Sequence, residues 1–191
     1  TWGKNIRWQD NWRRPPRHWD RKTSRVERNK NSGSDVFAWN CRKIIEGKYI
    51  VKFSATEAEG TFKKISGAIH FNEIDLQESF INISIDVNSI ETGNKTKNEH
   101  AKESSWLDAT AYPIINFTSS QFNKTSNGFE AKSKLTIKNV TKEITVPFSF
   151  TKKKNRGVFK GKFEINRKEF SIEEDGIGEI LKIEFTIPVN G

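Results

Sequence analysis

Apolar and polar residues alternate with a period of two along most of the chain from Tyr49 to Val189, the mark of strands with one face buried. Tyr49, Val51, Phe53 and Ala55 alternate with Ile50, Lys52 and Ser54; Ile65, Gly67, Ile69 and Phe71 with Ser66, Ala68 and His70; Ile81, Ile83, Ile85 and Val87 with Asn82, Ser84 and Asp86. Ile115 and Phe117 follow Pro113, and then come Phe129 to Ile137, Ile144 to Phe150, Phe159 to Ile165 and Leu181 to Val189, about eight strands in all. Turn residues separate them at Asn72 to Asp75, Ser126-Asn127-Gly128, Lys154 to Gly157 and Asp175-Gly176, which predicts hairpins joined locally rather than βαβ units. The exception is Asn94–Tyr112, whose Ala, Lys and Glu content and following proline predict a short helical insertion near 97–109. One apolar face per strand and no helix long enough to cover it leave the sheet to cover itself, by sandwiching or by closing. Closure is preferred, giving an all-β, closed antiparallel barrel.

Small inward positions among the phenylalanines, Gly67, Ala131 and Gly161, read in two ways: as room for an elongated ligand, or as points where the barrel coils. Apolar mass is concentrated in large side chains, since Phe supplies 14 residues while only 34% of the chain is hydrophobic.

Charge divides the chain of 191 residues. The formal net charge is +9, but residues 1–47 hold 12 Lys and Arg against 5 Asp and Glu, leaving 21 against 19 in residues 48–191. The first segment is also where Trp2, Trp8, Trp12, Trp19 and Trp39 alternate with arginines around Pro15–Pro16, with hardly an aliphatic residue. It is expected to be disordered or foreign to the domain. Its Trp/Arg content also suits cation–π contacts, a membrane surface or single-stranded nucleic acid. The nearly neutral body carries no footprint for a phosphate backbone, so no nucleic acid is expected on the barrel. No apolar run reaches the length of a transmembrane helix.

Candidate chemistry is sparse. Cys41 is the single cysteine, which excludes an intrachain disulfide and multi-thiolate metal sites. His18, His70 and His100 form no motif; His100, beside Glu99 in the insertion, reads as a structural hydrogen-bonding residue more readily than as a catalyst. Glu173-Glu174-Asp175 reads as an exposed turn without the spacing of a calcium loop, and no Gly-rich phosphate loop, GxSxG elbow or HExxH occurs. No enzyme is expected, and neither a catalytic cofactor nor a metal.

Ordered stretches of the body resemble the bacterial YceI-like, polyisoprenoid-binding family in its Lys- and Asn-rich Bacteroidota form. They are Gly60-Thr61-Phe62 with Ile65-Ser66-Gly67, Ile85 to Asn94, His100-Ala101-Lys102 with Trp106-Leu107-Asp108, Tyr112-Pro113, Phe117-Thr118-Ser119, Leu135 to Lys142, Phe163 to Arg167, and Ile183 to Val189. Ser133 and Asn139 stand where the family usually has glycine, and residues 1–35 match nothing in it. The resemblance implies a lipocalin-like closed antiparallel barrel whose apolar pore holds an isoprenoid chain or quinone, in a periplasmic or secreted carrier without catalytic residues. A monomer or homodimer is expected. Under it, the pore-lining candidates are Phe53, Phe62, Ile69, Phe71, Ile83, Ile85, Trp106, Phe117, Leu135, Phe148, Phe163 and Ile183, with His100 and Tyr112 near a headgroup. Each lining candidate is equally readable as ordinary core. The competing expectation, from a different class, is a filled barrel that presents the Trp/Arg segment to a membrane or nucleic acid.

Overall fold

The computed structural model describes residues 41–173 and 176–190. Its strands are β1 (Cys41–Ile44), β2 (Ile50–Ser54), β3 (Glu59–Phe62), β4 (Ile65–His70), β5 (Phe80–Asp86), β6 (Ile90–Glu91), β7 (Ile114–Thr125), β8 (Gly128–Ile137), β9 (Val140–Lys153), β10 (Arg156–Asn166) and β11 (Ile180–Asn190). Three of the staves are broken. β1 and β2 lie end to end against β11, β4 and β3 pair with them in turn, and β5 and β6 pair with β4 and β3. With β7 to β11 these make a closed, eight-stave antiparallel barrel, in which β11 returns to the first stave. Closure puts the alternating apolar face of every stave inside.

The first stave begins earlier than the expected boundary at residue 48. Lys43 and Ile44 pair with Asn190 and Val189, and Cys41 and Arg42 with His70 and Ile69. Four residues without alternation gave no periodic signal; β1 is held by its neighbours rather than by its own pattern. Across the break, the Tyr49 hydroxyl donates to the Lys63 carbonyl at 2.9 Å and accepts from Ile65 N at 3.0 Å. The expected Trp/Arg segment lies otherwise outside the described residues.

Helix α1 (Lys95–His100) occupies the start of the predicted insertion, capped by Asn94, whose side chain accepts from Lys97 N. The remainder, to Tyr112, is a series of turns rather than a second helix. It forms a lid over one end of the barrel. Two further turns meet it there. Lys138, in the β8–β9 turn, donates through Nζ to the carbonyls of Ser104 and Ser171, both at 2.9 Å.

Two of the three small residues expected to face inward do not provide room, and Gly67 is exposed. A Cβ on Gly67, at φ +140°, would lie 2.1 Å from the Asn82 carbonyl oxygen, and one on Gly161 would lie 2.5 Å from both Phe185 Cζ and the Pro147 carbonyl oxygen. At both positions glycine allows a close approach of a neighbouring strand or ring. The β9–β10 ladder ends there, at Phe148 opposite Gly161. From Pro147, which has no N–H to give, back to Val140, β9 is paired with β8 alone.

Candidate functional site: a two-chamber barrel interior

At the end remote from the lid, the barrel is filled. Phe71 is 1% exposed and touches Phe122, Phe129, Phe148, Phe150 and Phe159 with ring centroids 5.0–5.9 Å away, all at steep edge-on angles. Such geometry places positive ring edges on negative ring faces. Arg42, buried beside this cluster, stacks its guanidinium 4.7 Å from the Phe150 ring centre, and burial lowers its pKa.

Above this plug lies a chamber of about 130 Å³ whose wall surface is apolar. On β11 its lining runs from Leu181 to Ile187, roughly 20 Å of strand, so it is long and narrow. Eleven of the twelve expected lining residues surround it: Phe53, Phe62, Ile69, Ile83, Ile85, Trp106, Phe117, Leu135, Phe148, Phe163 and Ile183. Phe71 is the exception; it stands one layer too deep and belongs to the plug. Ala131, the third small inward residue, does line the chamber. Residues outside the expected set also contribute, among them Val51, Ile81, Ile115, Val146, Phe159 and Phe185, all inward members of the alternating strands. Leu107 and Ile172 come from the lid and from the β10–β11 loop, where no period announces a direction.

That loop is organised by one buried side chain. Arg167, 3% exposed, donates from Nε to the Gly178 carbonyl (3.1 Å), from one terminal nitrogen to Ile172 (2.6 Å) and from the other to Ile177 (3.1 Å). Three carbonyls thereby turn toward one cation, and Ile172 is swung into the chamber.

A second, polar chamber of about 200 Å³ sits under the lid, lined by Phe53, Glu57, Ala58, Glu59, Thr92, Lys97, His100, Ala101, Trp106, Gly176 and Ile177. Phe53 and Trp106 line both chambers and form the partition between them. Trp106 is 7% exposed, and its buried indole N–H has no hydrogen-bond partner among the described residues. Glu59 holds Lys52 at 2.9 Å; the hydrogen bond and the charge of Lys52 keep the Glu59 carboxyl below its ordinary pKa, with Lys97 adding to the effect. His100 lies in this polar chamber, with Nδ1 3.2 Å from Glu103. Tyr112 lines neither chamber and is half-buried, its N–H donating to the Asp108 carbonyl. His70, expected on a polar strand face, is buried and stacked on Phe80 with centroids 5.5 Å apart.

Among the described residues there is no cluster of three potential metal ligands, and no helix is long and apolar enough to cross a membrane. A model of the YceI-like domain matches residues 21–189. The chain belongs to the YceI-like family. Protein YceI of Salmonella arizonae is 26% identical over 138 residues, which are 69% of this chain and 72% of that protein. Among solved structures, BcnA of Burkholderia cenocepacia superposes with a TM-score of 0.71 at 26% identity, covering 76% of this chain and 98% of that one. A polyisoprenoid binding domain from Saccharophagus degradans superposes with a TM-score of 0.62 at 13% identity, covering 80% and 98%, a likeness of fold. The YceI-like match begins twenty residues before β1, so the family's domain takes in part of the segment expected to be foreign to it.

Proposed function

We propose that this YceI-like barrel binds and carries a linear isoprenoid lipid or quinone without transforming it, in an exported, periplasmic setting. The observation that supports this most is the long, narrow, wholly apolar chamber in a closed barrel. Each CH₂ taken from water contributes about 0.8 kcal/mol, so a tail needs no polar contact to be held. A chamber of about 130 Å³ offers roughly ten times the space one water requires in the same measure, enough for a short prenyl segment at full width. Longer tails must displace the half-buried side chains of Phe163, Ile183 and Phe185 or extend into the polar chamber. Catalysis finds little support: His70 is stacked and buried, and His100 engages Glu103 at the surface.

The test is native mass spectrometry of the full chain isolated from bacterial extract, followed by analysis of the released lipid. A polyprenyl compound in stoichiometric amount is expected. Protein that carries no apolar molecule, and takes up none when offered prenyl alcohols, would sink the reading.

A further inference from the structure

The carrier reading accounts for the apolar chamber but not for the polar one, nor for a buried donor left unpaired on the wall between them. An unsatisfied buried N–H costs about 1–3 kcal/mol, and it is retained here at a position that touches both chambers. A phenylalanine would be apolar too, though smaller, and would carry no donor to satisfy. The donor gains a use if a ligand supplies the acceptor.

The surroundings restrict what that acceptor is. Two carboxylates, Glu57 and Glu59, line the polar chamber with Lys97 and His100; Lys52 is paired with Glu59, and His100 already engages Glu103. A phosphate or diphosphate placed here would share the chamber with two carboxylates, and like charges in one site disfavour each other. An uncharged carbonyl or hydroxyl meets no such opposition. Indole N–H is a donor only, so the group opposite it must accept.

We propose that the polar chamber is a head subsite for an uncharged, hydrogen-bond-accepting group of an amphipathic lipid, with Trp106 Nε1 as its donor and the tail in the apolar chamber. The proposal rests on the carrier reading and narrows it to alcohols, carbonyls and quinones over phosphorylated prenyl chains. Reaching the buried nitrogen requires the indole to turn or the lid to lift. Between Ala101 and Tyr112 the lid is a run of turns, tied to the rest of the barrel top by the Lys138 bond to Ser104 and by Glu173 N donating to the Ser105 carbonyl at 3.1 Å.

The experiment uses the full chain stripped of lipid and three probes with one carbon skeleton: geraniol, geranyl diphosphate and the hydrocarbon 2,6-dimethyloctane. The wild type should bind geraniol more tightly than the diphosphate. Trp106→Phe should weaken geraniol about fivefold, the share of one hydrogen bond, while leaving the hydrocarbon within about twofold. Glu57→Lys, which replaces an exposed carboxylate of the chamber lining with a cation, should raise diphosphate affinity up to about fivefold and shift the diphosphate-to-geraniol ratio in the same direction. Equal losses of geraniol and hydrocarbon in Trp106→Phe, or tighter binding of the diphosphate than of geraniol by the wild type, would overturn the head subsite while leaving the carrier reading intact. Failure of all three probes, hydrocarbon included, would remove the carrier reading and this proposal together.

Discussion

Lys138 reaches from the β8–β9 turn to the carbonyl of Ser104, on the lid, across a sequence separation of 34 residues. Its backbone is in the left-handed region, φ 54°, a conformation a lysine adopts at some cost. The same nitrogen also holds Ser171, so one ammonium joins three loops over the chambers. Lys138→Met keeps the stem and removes both bonds. We expect about 1–2 kcal/mol lower stability, and faster amide exchange at Ser105 and Trp106 than in the strands. Ligand release should quicken with it. Unchanged exchange on the lid would show that the bonds do not restrain it.

Arg167 is tied differently, because its three carbonyl partners lie inside the protein with it. Arg167→Ala leaves Ile172, Ile177 and Gly178 to find other donors, at about 3 kcal/mol or more in total. Lysine restores one charge but not the fork. Urea unfolding should therefore rank wild type above Arg167→Lys above Arg167→Ala, with new proteolytic cleavage between 171 and 179. Equal stability of all three would mean the loop is held by its apolar contacts.

Phe71 and Phe163 separate plug from chamber wall. Phe71→Ala opens a void among five rings and should cost about 3–5 kcal/mol, whereas Phe163→Ala enlarges space already empty and should cost less. In lipid binding the order should reverse, with Phe163→Ala changing the preferred chain length and Phe71→Ala changing it less. Paired urea and lipid-occupancy measurements decide it. Identical losses of stability would place Phe163 in plain core.

Acid should loosen the lid from its hinge. The Glu91 carboxylate accepts from Gly93 N at 2.7 Å and from Asn98 Nδ2 at 3.2 Å, bonds that hold its pKa below the ordinary glutamate value. A depressed folded pKa means that these bonds stabilise fully above the unfolded pKa. Their contribution is then lost as pH falls through the folded value. NMR titration should show Glu91 protonating below about 4.3, with the Gly93 amide shifting in step. Glu91→Gln should flatten the Gly93 shift.

Much of the barrel was legible because alternation reports which face of a strand is buried, and closure follows when one face needs cover. Depth along the barrel axis was not. Phe71 and Phe148 look alike in the sequence, yet one is plug and the other chamber wall, since period two carries no axial coordinate. Phe122 escaped for another reason. A bulge at Ser120 shifts the register between Ser119 and Gln121, so Ser119 and Phe122 are both buried although three apart. The polar chamber was invisible, because Glu57 of the β2–β3 connection, Thr92, Lys97 and Trp106 of the β6–β7 connection and Ile177 of the β10–β11 loop share no spacing.

The filled end of the barrel gives the interior the properties of a gauge. A tube open at both ends holds any chain that fits its bore, but one stopped at the Phe148 and Phe159 layer halts the leading methyl group at a fixed depth. Under the proposed carrier function, the carbon number of a tail, counted from that stop, would decide whether its head falls short of Trp106, meets it or is pushed out past the lid. Selectivity for length is then set by the end of the molecule that never touches the head. A change at Ala131 or Phe159, far from the lid, would reset the scale without altering a single polar contact.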